Sequence, residues 1–192
     1  MTSCDRSVDM PVTWTGSPRT VQAIRDLLIV HASPGVLRLV LQQLTLREDG
    51  RAVGRHEIID AVSDVGGNLV SIPIVAAVRA DPTASSQLDA ALAALRADIA
   101  AQIGSEVDSL EVITTADGRR EARFTACVEV SPEDLERRPA HPALHGGPHQ
   151  ITHQAPELDA LRDLLAEPEH GRLRRTWDGT CERVRRLLFP GD

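Results

Sequence analysis

Apolar positions along the chain change their period several times, and each change marks an element. Behind Ser17-Pro18, Val21, Ile24, Leu27 and Leu28 recur at helical spacing, and Ser33-Pro34-Gly35 closes the run. Serine is a good N-cap and proline suits the first helical position, so a helix is predicted there. Val36 to Arg47 fits two periods. Leu37, Leu39 and Leu41 alternate, whereas Leu37, Val40, Leu41 and Leu44 fit a helix face. The Asp49-Gly50 pair that follows is a hairpin signal and favours a strand. From His56 to Asp64, Ile58, Ile59 and Val62 are spaced as in a helix ending before Gly66-Gly67. Leu69 to Val78 alternates through Val70, Ile72, Ile74, Ala76 and Val78, and Pro73 within it predicts an edge strand.

The clearest stripe is Leu88, Leu92, Leu95, Ile99 and Ile103, which predicts a helix over 84–103 between Asp81-Pro82 and Gly104. Asp117-Gly118 then joins Ser109–Thr115 to Glu121–Val130 as a two-residue hairpin, with Ala122, Phe124, Ala126 and Val128 on its inner face. Residues 131–155 are rich in Pro, His and Gly and show no period. Pro156 opens a short helix carrying Leu158, Leu161 and Leu165, and a last helix is expected over about Arg172 to Phe189. The predicted organisation is a loose arm (1–16), a core (17–130), a linker (131–155) and a helical tail (156–192). Strands and helices do not strictly alternate, which predicts an α+β core: a small sheet with at least one hairpin, packed on two or three helices.

Composition removes several chemistries. Basic residues number 21 and all are arginine; the chain has no Lys and no Tyr. That excludes a lysine Schiff base with pyridoxal phosphate, a P-loop lysine and phenol acid catalysis. Cys4, Cys127 and Cys181 form no C-x-x-C pair, and their odd number argues against a disulfide framework. Met1 to Pro11 has no apolar signal-peptide core, and no apolar run reaches the ~18–20 residues of a membrane span. A cytoplasmic location is the expectation. Only Trp14, Phe124, Trp177 and Phe189 are aromatic, too few for nucleobase-stacking platforms.

Three surfaces hold candidate chemistry. On the helix expected over 56–64, His56, Asp60 and Asp64 share one face with Glu57 beside them, a set that could hold a divalent metal with Glu57 as base. The string resembles the zincin motif H-E-x-x-H with Asp60 in place of the second histidine. His141, His145, His149 and His153 recur every fourth residue, but Pro142, Gly146, Gly147 and Pro148 predict a loop there, which could still wrap a metal. The third surface is the C-terminal helix, where Arg172, Arg174, Arg175, Arg183, Arg185 and Arg186 flank Trp177. Residues 171–192 carry +3, from six arginines and three acids, and residues 1–170 carry -10, from 15 arginines and 25 acids. Such a helix could dock on the acidic core or on a partner.

Two stretches resemble known families. Val70-Ser71-Ile72-Pro73-Ile74-Val75, within Val65 to Ser86, is similar to the helix-turn-helix of lactose-type repressors, which implies DNA binding. The order of helix, hairpin-like stretch, long helix and Asp-Gly hairpin, most of all the long helix followed by Ser109 to Val130, resembles the YezG-like family of toxin-immunity proteins. The reading that joins these observations is a cytoplasmic, acidic, non-enzymatic protein that binds another protein, immunity- or regulator-like, with nucleic acid disfavoured by the net charge of -7. The alternatives are a small metal-assisted enzyme built on the His56–Asp60 face and the histidine loop, and a helix-turn-helix regulator.

Overall fold

A computed structural model describes residues 11–126, 130–138 and 141–166. The segment expected to form a basic C-terminal helix (with Trp177 and six arginines), Val128, and Cys4, Cys127 and Cys181 lie outside the described residues. In chain order the elements are β1 (Val12–Trp14), α1 (Pro18–Ile29), β2 (Val36–Glu48), β3 (Arg51–Val65), β4 (Asn68–Pro73), α2 (Val75–Ala80), α3 (Pro82–Ile103), β5 (Ser109–Thr115), β6 (Arg120–Thr125), α4 (Pro132–Arg137), α5 (Gly147–His153) and α6 (Ala155–Ala166). The fold is α+β. One antiparallel sheet runs in the order β1-β6-β5-β2-β3-β4, and helices pack on both of its faces. No helix among the described residues is long and apolar enough to cross a membrane.

The first face is apolar. Leu39, Leu41, Ile59, Ala61, Leu110, Val112 and Phe124 meet Ile24 and Leu28 of α1 and Leu88, Leu92, Leu95 and Ile99 of α3. Burying each large side chain of this set is worth about 1.5–3 kcal/mol relative to leaving it in water. Both helices start where the sequence signals it. Ser17 caps α1, Asp81 accepts the N–H groups of Thr83 and Ala84 to cap α3, and Gly104 ends α3 in the left-handed conformation. On the second face a smaller cluster joins Leu37 and Val62 to Leu158 and Leu161 of α6.

Several expectations need correction. His56 to Asp64 is not a helix but the middle of β3, paired on one side with β2 (Leu44 opposite His56, Val40 opposite Asp60). Much of this strand is covered on both faces, so Ile59 and Ala61 serve one side and Ile58 and Val62 the other. Apolar residues at both parities imitate helical spacing. The strand expected over 69–78 stops at Pro73, on the edge as predicted. After it, the Ile74 N–H donates to the Ile59 carbonyl and the chain turns into α2. Val70-Ser71 therefore lies in an edge strand and not between two packed helices. Within the segment read as a loose arm, Val12–Trp14 forms β1, and Trp14 is buried. Within the stretch read as a linker, Ser131 and Asp134 form a capping box that starts α4, and Pro148 sits in the first turn of α5. Pro148 was expected to forbid a helix; at that position it favours one.

Candidate binding cleft

The second face of the sheet carries polar side chains that the strand period brings into line. Gln42, Glu111 and Arg123 are cross-strand neighbours on β2, β5 and β6, with Ile58 on the other side of Gln42. Gln42 clamps the incoming chain from both ends of its amide: Nε2 donates to the Ala143 carbonyl at 2.7 Å, and Oε1 accepts the His145 N–H at 2.9 Å. Asp60 accepts the Gly147 N–H at 2.6 Å and so caps α5 from β3. Arg38, nearly fully buried, donates to Gln150 at 2.6 Å and pairs with Glu157 of α6. These bonds satisfy backbone and side-chain groups that burial would otherwise penalise.

Close approach at this seat depends on two glycines. A Cβ on Gly147 would lie 2.0 Å from the Ser71 hydroxyl oxygen, and one on Gly146 would lie 2.9 Å from Asp60 Oδ2. Only residues without a side chain let the start of α5 reach Asp60.

Between β3, α5 and the chain leading into it lies a cleft of about 840 Å³. Ile58, Leu135, Leu144 and Pro148 supply apolar wall, and His56, His141, His149 and His153 line it beside Asp60. The fold thus joins the two histidine-bearing stretches, separated in sequence, in one place. His145, His149 and His153 also stack as a column, with ring centroids 4.7 Å and 4.4 Å apart. At its inner end His145 Nδ1 lies 3.6 Å from the Glu111 carboxylate, whose other charged neighbour is Arg123 at 3.7 Å. The Glu111 side chain is 4 % exposed, and among the described residues none comes within hydrogen-bond distance of its oxygens. This carboxylate raises the pKa of His145 against the opposing effect of burial. His149 is lowered, by burial and then by the neighbouring charges of His145 and His153.

Other candidates are not gathered there. Glu57 points to the opposite face, where it accepts from Arg79 Nη2 at 2.6 Å and from Gln43 at 2.8 Å. Burial would raise its pKa, but these hydrogen bonds hold it below the usual carboxylate range. Asp64 closes the β3–β4 turn by accepting the Gly67 N–H at 2.7 Å. At a strand rise of about 3.3 Å per residue, His56 and Asp64 are roughly 26 Å apart, so the face expected to hold a metal is spread too far for one ion. Among the described residues no three metal-ligating side chains converge.

A second cleft of about 460 Å³ is lined by Arg38, Arg119, Arg120 and Arg123 with Glu121 and Glu157. Three of its arginines are committed: Arg38 and Arg119 to Glu157, and Arg123 to Glu121. Arg38, Gln42 and Glu111 escaped the sequence reading. Their only signal is a polar residue at one parity of an otherwise apolar strand. Neither a protein-family model nor a curated protein sequence matches the chain.

Proposed function

We propose that the protein is a cytoplasmic binding module that holds a segment of another protein in the histidine-lined cleft, without chemistry of its own. The observation that carries this reading is the cleft itself. It encloses about 840 Å³, it has an apolar wall of Ile58, Leu135, Leu144 and Pro148, and it is framed by bonds that spend Asp60 on folding. The base of the enzymatic alternative, Glu57, faces away from the cleft and is tied to Arg79. The order α1, β2–β3 hairpin, α3, β5–β6 hairpin also supports a protein partner, because it is the layout on which the resemblance to the YezG-like immunity proteins rests.

Affinity isolation from the native host tests the reading, with the wild type beside Leu144→Glu and Ile58→Glu. Both residues are half-buried in the cleft wall. A partner retained by the wild type and lost from both variants, each with a wild-type circular dichroism spectrum, is the expected result. A partner retained equally by all three places binding elsewhere and overturns the assignment of the cleft.

A further inference from the structure

We propose that His149 and His153 form a two-imidazole chelate for a borderline divalent transition metal, zinc or nickel, on the wall of the cleft. They stand one helical turn apart on α5, so their side chains project from the same face. Their ring centroids are already 4.4 Å apart. The rings stack rather than converge, so chelation requires rotation about their side-chain torsions. Neutral imidazole is a good ligand for these ions, and two such groups at i, i+4 supply two ligands at little ordering cost because α5 already holds them. His145 stacks on His149, and His56 and His141 line the same cleft; water takes the remaining positions.

A second, independent feature favours a cation here. Glu111 is a buried carboxylate with no donor within hydrogen-bond distance among the described residues, facing His145 at the inner end of the column. Its field is negative at the imidazoles, and His145 stacks directly on His149. A bound cation on the column compensates a buried charge that Arg123, at 3.7 Å, meets only in part. Glu111 acts here through the field it sets and is not itself a ligand.

The prediction is independent of whether the cleft also takes a protein segment. It is tested on the full chain without an affinity tag, by calorimetric titration with Zn²⁺ alone and with Ni²⁺ alone at pH 7.5 in a non-coordinating buffer. One equivalent per chain with a micromolar Kd is expected, together with a rise in melting temperature. His153 is exposed, so His153→Ala retains the fold, and it should weaken binding at least tenfold, as should His149→Ala. Glu111→Gln should weaken it by a smaller factor, while His31→Gln, on the chain after α1, should leave it unchanged. Affinity should fall as the pH is lowered, because protons compete with the metal for the imidazoles. Binding unchanged in His153→Ala, binding weakened equally by His31→Gln, or no saturable binding below millimolar metal would each overturn the proposal.

Discussion

On one face of the sheet, Leu39, Leu41, Ile59, Leu110 and Phe124 meet α1 and α3 through apolar side chains. On the other, Arg38, Gln42 and Asp60 hold residues 143–157 mainly by hydrogen bonds, beside a smaller apolar cluster around Leu158 and Leu161 and the apolar wall of the cleft. Apolar burial is non-directional and adds over many contacts, so the first face tolerates small displacements and carries the global stability. Hydrogen bonds are directional, and their net worth is small unless a partner is removed. The second face therefore fixes position better than it supplies stability. That suits a surface whose task is to present side chains to something else.

The largest test of this contrast is Leu95→Ala. Leu95 is fully buried against the sheet, so truncation should cost about 2–5 kcal/mol and lower the stability of the whole described fold in chemical denaturation. On the other face, Asp60→Ala leaves the buried Gly147 N–H without an acceptor and should cost about 1–3 kcal/mol, but locally. Gly147→Ala should have a similar outcome, because its new methyl group meets Ser71. Hydrogen exchange should rise within 141–166 while β2, β3 and β5 stay protected. Global loss of protection in Asp60→Ala would contradict the division of labour.

A smaller effect should separate two half-buried histidines by pH. His145 has a raised pKa, so its stabilising contribution is full below the ordinary value of 6.5 and fades as the pH rises through its folded value. His149 has a lowered pKa, so stability is lost as the pH falls below 6.5 and the unfolded chain takes up the proton first. On going from pH 8 to pH 5, His145→Asn should lose melting temperature relative to the wild type and His149→Asn should gain it. Parallel melting curves for all three proteins would refute the assignment of these shifts to the column. The smallest effect belongs to Arg119→Ala at the second cleft. Its pairs with Asp117 and Glu157 are largely exposed, so the change in unfolding free energy should stay within about 0.5 kcal/mol.

Much of the first face was legible in the sequence. The stripe from Leu88 to Ile99, the cap at Ser17, the Asp81-Pro82 boundary and the Asp-Gly hairpins are local signals, and local physics decided them. The second face was not legible, because its order depends on partners distant in sequence. Gln42 reaches residues 143 and 145, Arg38 reaches residues 150 and 157, and Asp60 reaches residue 147. The histidine repeat was visible as a spacing but was read as a loop, since the value of Pro148 changes when it opens a helix. His56 and Asp60 were placed on one face through the wrong element. Positions i and i+4 share a face in a strand as they do in a helix, though about 13 Å apart in the strand.

The edge strand β1 has a consequence for biosynthesis. Among the described residues it pairs only with β6, Val12 opposite Phe124, so that ladder cannot form until more than a hundred further residues have been translated. At about 5–20 residues per second the wait is roughly 6–20 s, long against the microseconds in which a helix such as α1 forms. In the first part of that interval the β2–β4 meander can assemble before α3 has been translated to cover Leu39, Leu41 and Ile59. A chaperone that meets the nascent chain meets that apolar surface first, and the histidine cleft cannot assemble until the residues beyond 140 have left the ribosome.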